Sequence, residues 1–176
     1  MLVGTLACSS LTLVGCGPSG EDSQVAEQKG GAPDTKKAAP TAAPGAMIVY
    51  RDPSCGCCES WARIAAKAGF KVDLRDDADM AGVKRRLGVP EDLSSCHTAE
   101  VAGLVVEGHV PLEDVARLLR ERPPGIRGIA VPGMPAGSPG MEMPDGTKQP
   151  FQVIAFDASG RTSVFRAQSF NGQGEE

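Results

Sequence analysis

Three thiols within four residues, Cys55-Gly56-Cys57-Cys58, constrain this chain more than any other feature. A short apolar run, Met47-Ile48-Val49-Tyr50, precedes them and a helical pattern follows. The spacing predicts a strand over residues 47–51, a tight turn, then a helix from Cys57 to Ala68. In that helix Trp61, Ile64, Ala65 and Ala68 share one face at i, i+3, i+4 and i+7. Cysteines in a first helical turn meet free backbone N–H groups and the positive end of the helix dipole, which favours thiolate. Thiolate attacks disulfides, and it also binds soft metals. The remainder of the chain has to decide between those two chemistries.

Downstream, Gly69 stops the helix and Phe70–Leu74 alternates as a strand. Asp79 caps a short helix with Met80, Val83 and Leu87 inward, and Gly88 ends it. Residues 89–98 read as a loop carrying Cys96 and His97, and Val101–Val106 as a strand. Pro111 at a first helical position, then Glu113 and Asp114, opens a third helix. Its inward residues are Leu112, Val115, Ala116 and Leu119. Residues 123–150 read as loop around a short strand at 129–131. Phe151–Phe156 and Thr162–Arg166 pair as a hairpin across Asp157-Ala158-Ser159-Gly160. The order predicts an α/β chain with a mixed sheet flanked by helices. A strand that feeds a cysteine-bearing helix start resembles the thioredoxin fold, in which a later loop faces the thiols. Ser94–Thr98 and the stretch from Val131 through Met134 both qualify, and the sequence leaves the choice open.

The first 46 residues read differently. Residues 1–15 are small and apolar and end in Leu13-Val14-Gly15, just before Cys16. This resembles a lipoprotein signal, with Cys16 as the lipidated residue and a membrane reached through that lipid. The apolar stretch is shorter than the roughly 20 residues that a spanning helix needs. Residues 16–46 are rich in Gly, Pro, Ala and charge, too polar to fold, and read as a flexible linker. Stretched out, such a linker reaches about 100 Å at roughly 3.3 Å per residue. The folded domain is expected over 47–168, with 169–176 as a disordered tail. The address implied is the cell envelope or periplasm, lipid-anchored, where disulfides persist. A net charge of -4 offers nothing to nucleic acid.

Removing Cys8 with the signal and lipidating Cys16 leaves four thiols: Cys55, Cys57, Cys58 and Cys96. Cys55 and Cys58 match a redox Cys-x-x-Cys pair, and a thiol–disulfide oxidoreductase using them is the alternative reading. Cys57 disturbs such a pair and suits sulfurs that bridge more than one metal ion. A structural lipoprotein with cysteine staples is a third reading. Cys96-His97 sets a thiol beside one of only two histidines. His109 lies between a strand and a helix. It would sit at the wrong end of the sheet if that strand ran antiparallel to the first. Half of the six methionines, Met134, Met141 and Met143, fall in one loop with no core-forming period. Gap-filling is the plain explanation for them. Together, however, cysteine, methionine and histidine favour Cu(I) over zinc, whose finger-like paired spacings are missing. An iron–sulfur site would leave the methionine loop unexplained.

Four motifs in order then carry a family resemblance. They are Cys55-Gly56-Cys57-Cys58, Ser95–Ala99, Val106–Pro111 and Val131–Glu142. The stretch 47–166 resembles the CopG family of periplasmic copper-resistance proteins, which are distinct from the ribbon-helix-helix repressors of the same name. The resemblance implies a thioredoxin-like domain in which Cys55, Cys57 and Cys58 form the core of a small thiolate-bridged copper cluster. Cys96, His97, His109, Met134, Met141 and Met143 become candidates for outer positions. It also implies a role in copper tolerance, interconversion of Cu(I) and Cu(II), and copper-efflux or copper-oxidising proteins as partners.

Overall fold

The computed structural model describes residues 45–168; the proposed signal, Cys16, most of the linker and the tail lie outside them. Its elements are β1 (Ala46–Arg51), α1 (Gly56–Lys67), β2 (Lys71–Asp76), α2 (Met80–Leu87), β3 (His97–Val101) and β4 (Leu104–Glu107). They continue with α3 (Leu112–Glu121), β5 (Ile126–Ala130), β6 (Phe151–Asp157) and β7 (Thr162–Gln168). One seven-stranded sheet runs in the order β2-β1-β3-β4-β5-β6-β7. It is mixed: β1 with β2 and β4 with β5 are parallel, and the other neighbours are antiparallel.

The strand expected at 101–106 is instead a hairpin. β3 begins at His97, inside the expected loop, and Ala102-Gly103 turns the chain into β4. Both turn residues have positive φ, 49° and 77°, the conformation that two-residue hairpins require. Because β3 opposes β1 and β4 opposes β3, β4 runs parallel to β1. The end of β1, the start of β3 and the ends of β4 and β5 therefore share one edge of the sheet. The register states it directly: Arg51 lies opposite His97, Thr98 opposite Glu107, and Glu107 beside Ala130.

Alternation along the strands builds a core on each face of the sheet. Met47 and Val49 join Trp61, Ala65, Val115 and Leu118 on the α1/α3 face. Tyr50 packs with Val83, Leu87 and Phe156 on the α2 face. Each fully buried Val, Leu, Ile or Phe contributes about 1.5–3 kcal/mol.

Two helical stripes differ from expectation. In α1 the buried residues are Cys58, Trp61, Ala62 and Ala65, whereas Ile64 is half-buried and Ala68 exposed. The packed face lies nearer the cysteines, because the first turn of α1 tucks against the site. In α3 the buried set is Asp114, Val115 and Leu118, with Ala116 exposed. Arg166 on β7 donates to Asp114 at 2.8 Å and draws that carboxylate inward. Pro111 is the residue before α3, at ψ 137°, and the helix starts at Leu112. Asp79 caps α2 as expected, accepting from the Gly82 N–H at 2.8 Å, and Gly88 ends it at φ 74°. Among the described residues no helix is long and apolar enough to cross a membrane.

Candidate metal centre

β1 delivers the chain to a turn in which the Asp52 carboxylate accepts the Ser54 N–H at 2.8 Å and the Asp52 carbonyl accepts the Cys55 N–H at 3.0 Å. Cys55 is the N-cap of α1 and has no side-chain capping bond. Arg51 clamps the turn, its guanidinium donating to the Cys55 carbonyl at 3.0 Å. The first-turn N–H groups of α1, which have no partner within the helix, lie at its cysteine-bearing end.

The four cysteines meet. Cys55 and Cys58 form a disulfide, and Cys57 and Cys96 are free thiols. Cys57 Sγ lies 3.5 Å from Cys55 Sγ and 3.9 Å from Cys96 Sγ. On its other side Cys96 Sγ lies 3.3 Å from His97 Nδ1 and 3.0 Å from His109 Nε2. Two donor groups, Cys55/Cys57/Cys58/Cys96 and Cys96/His97/His109, each fit within 4.8 Å and share Cys96. The hairpin is what unites them: parallel β4 sets His109 at the cysteine end, and β3 starts with His97 there.

Both imidazoles are fully buried. His109 Nδ1 lies 2.8 Å from the Pro139 carbonyl. A carbonyl only accepts, so Nδ1 carries the proton and Nε2 turns its lone pair to Cys96. A histidine held in this way presents a ligating nitrogen. Burial holds His97 and His109 below the usual imidazole range; His109 and Lys84 push His97 down further. Burial, then the neighbouring Cys57, pushes the Cys96 thiol up to about 12. Cys96 therefore stays protonated at neutral pH, and an incoming metal has to displace that proton. His97 Nε2 is buried with no hydrogen-bond partner, a costly arrangement in a closed interior. The sulfur and neutral imidazole donors that share Cys96 fit a soft or borderline metal ion.

Beneath the thiols lies a network that the sequence did not announce. Glu107, fully buried, pairs with Lys84 from α2. Its carboxylate also accepts the Ser95 N–H at 2.6 Å and the Thr98 hydroxyl at 2.6 Å, and Lys84 donates to Thr98 at 3.0 Å. Burial raises the Glu107 carboxyl, and Lys84 opposes the shift. The Ser95 hydroxyl donates to the Gly133 carbonyl. The only sequence signal was one acid ending an apolar strand, Val105-Val106-Glu107.

The two candidate loops both close over this edge. Residues 94–98 supply Cys96 and His97. The methionine loop brings backbone: the Pro139 carbonyl to His109, and Gly140 against α1. A Cβ on Gly140, at φ +85°, would meet Trp61 N at 2.9 Å and the Cys57 carbonyl at 3.1 Å. Met134 and Met143 stand 53% and 42% exposed, and Met141 is half-buried.

Comparison with known proteins follows the same lines. The family described as "Protein of unknown function, DUF411" matches residues 93–141, the segment that holds Cys96, both histidines and the first half of the methionine loop. No curated protein matches the chain. The solved structure titled "Copper resistance protein copG- Form 1" is 49% identical at a TM-score of 0.66, covering 71% of this chain and 98% of that one. A second, "Copper resistance protein copG- Form 2", is 48% identical at 0.67, covering 72% and 99%.

Proposed function

The chain belongs to the family of the copper resistance protein CopG, and from that premise we propose that it captures Cu(I) in the cell envelope, tethered by lipid at Cys16. Copper is its cargo. Cys55, Cys57, Cys58 and Cys96 in their reduced form, with His97 and His109, hold the ion. The sharing of Cys96 between two donor groups supports more than one ion bridged by thiolate. Met134, Met141 and Met143 serve as soft thioether donors, for which no proton competes with the metal. Interconversion of Cu(I) and Cu(II) belongs to the same reading, and efflux or copper-oxidising proteins are the partners that would receive the ion. The sheet order β2-β1-β3-β4 with β3 reversed supports the thioredoxin-like description.

The observation that carries this reading is the placement of Cys96 Sγ, 3.9 Å from Cys57 Sγ and 3.0 Å from His109 Nε2. Those sulfur and nitrogen atoms come from three separate parts of the chain. Loading requires the Cys55–Cys58 disulfide to take up two electrons and two protons from an external dithiol, which leaves as a disulfide while Cys55 and Cys58 become free thiols. The metal then displaces thiol protons, while the neutral imidazoles need lose none. Elemental analysis of the reduced chain exposed to Cu(I) tests it: bound copper is expected, and its absence sinks the reading.

The Cys55–Cys58 disulfide itself favours a second reading, a thiol–disulfide oxidoreductase. Cys57→Ser separates the two. It should cripple copper uptake on the first reading, and leave disulfide exchange largely intact on the second.

A further inference from the structure

The copper reading accounts for the thiols as ligands. It does not account for the state in which they stand, one pair bonded and the other pair free and adjacent. Along the sulfurs the order is Cys58, bonded to Cys55, then Cys57 at 3.5 Å, then Cys96 at 3.9 Å. Cys57 is on the first turn of α1 and Cys96 immediately precedes β3, and neither is fully buried. A disulfide needs its sulfurs near 2.05 Å, so side-chain rotation has to close about 2 Å. With Cys55 and Cys58 already engaged, Cys57 and Cys96 are, among the described residues, each other's nearest free thiol.

We propose that Cys57 and Cys96 form a second redox pair that reduces Cu(II) and, in doing so, releases Cu(I). This rests on the copper reading above. Two Cu(II) ions each gain one electron and become Cu(I). The two electrons come from the Cys57 and Cys96 sulfurs, which join as an S–S bond, and two protons leave to solvent. A dithiol reductant resets the pair, taking the new disulfide back to two thiols.

Release follows from which sulfur is consumed. Cys96 belongs to both donor groups. Its oxidation removes one donor from each at once. With Cys55 and Cys58 also bonded, His97 and His109 are the only members of the two groups still free to bind. Imidazole alone is a poorer match for Cu(I) than thiolate. Reduction and loss of grip on the product are thus one event. Four thiols retain the ion, and two disulfides let it go.

The test uses the full chain with Cys8→Ser and Cys16→Ser, so that only the four site cysteines count, prepared without oxygen with Cys55–Cys58 oxidised. Cu(II) is added stepwise beside a Cu(I)-specific chelator, bathocuproine disulfonate. The expected result is loss of the Cu(II) paramagnetic signal for two ions per chain and chelator-bound Cu(I) in equal amount. Free thiols fall from two to zero, and a non-reduced digest yields a peptide joining Cys57 to Cys96. Cys57→Ser or Cys96→Ser abolishes the reduction. Persistence of the Cu(II) signal overturns the proposal, as does thiol loss without the Cys57–Cys96 peptide. The fully reduced chain is titrated with Cu(I) in parallel. Tight Cu(I) binding with Cu(II) left unreduced overturns this proposal alone, whereas no Cu(I) binding overturns the copper reading beneath it.

Discussion

Glu107 accepts the backbone N–H of Ser95 at 2.6 Å, one residue before Cys96. The same carboxylate pairs with Lys84 and accepts from Thr98. A single buried side chain on β4 thereby sets the path of the segment that supplies a thiol and an imidazole to the site.

Glu107→Ala removes that acceptor and strands the Lys84 ammonium. Loss of one partner from a buried pair costs about 3–5 kcal/mol. Chemical denaturation should show a loss of that order, with weaker Cu(I) binding in whatever fraction still folds. Glu107→Gln keeps an acceptor oxygen and should recover part of both. A loss under about 1 kcal/mol for Glu107→Ala, the scale of an exposed ion pair, would show the buried network to be slack.

The metal-free chain should be acid-sensitive. His97 and His109 have folded pKa values held below the ordinary 6.5. As pH falls below that value the unfolded chain binds protons on these imidazoles and the folded chain does not. Stability present above about pH 6.5 is therefore lost as pH falls toward the folded values. Melting temperature should drop between pH 7.5 and 5, with a flatter slope in the His97→Asn/His109→Asn double variant. An equal slope in that variant would place the acid response elsewhere.

Trp61 is the sole tryptophan, and its ring centre lies 4.8 Å from that of His97. Copper bound at His97 should quench its fluorescence in step with metal uptake. Trp61 also donates to the Val110 carbonyl at 2.9 Å. Trp61→Phe should cost about 1–3 kcal/mol for the buried acceptor left unpaired, read by denaturation. Saturating copper with unchanged emission would put the ion away from His97.

Gly140→Ala forces a side chain into left-handed backbone, a penalty of roughly 1–2 kcal/mol. It also drives a methyl into the α1 backbone at Trp61 and Cys57. The loop should lift, loosening the Pro139–His109 hydrogen bond, so both stability and Cu(I) affinity should fall. Wild-type values for both would show that the loop yields freely.

Replacing Met134, Met141 and Met143 together by Leu keeps the volume and removes the thioethers. Two of the three are exposed, so stability should move by less than about 0.5 kcal/mol. Cu(I) retention should weaken most at low pH, where protons compete for thiolate. Equal affinity from pH 5 to 8 would assign the three residues to packing.

What could be read in the sequence was local. The cysteine turn, the Asp79 cap and the Gly88 stop are short-range signals, and each recurs in the structure. The β3–β4 hairpin escaped because Ala102, rather than Gly or Asn, occupies a positive-φ turn position. Without that turn, the end of the sheet at which His109 lies could not be decided. The Lys84–Glu107 pair joins residues 23 apart on different elements, and Arg166 reaches Asp114 across 52. No periodicity encodes such meetings. They also explain why the α3 stripe is rotated from its expected face.

The Ala102-Gly103 turn stands at the pole of the sheet farthest from the thiols, where Val101 faces Met47 at the start of β1. Strand side chains alternate, so an inserted residue taken up by the pairing rather than by the turn would slide β4 by a step and reverse the facing of Glu107. A peripheral bend, well outside reach of any ion, is intolerant of the length changes that loops ordinarily absorb. Relatives able to assemble the same pocket should keep its residue count unaltered, whatever its amino acids become.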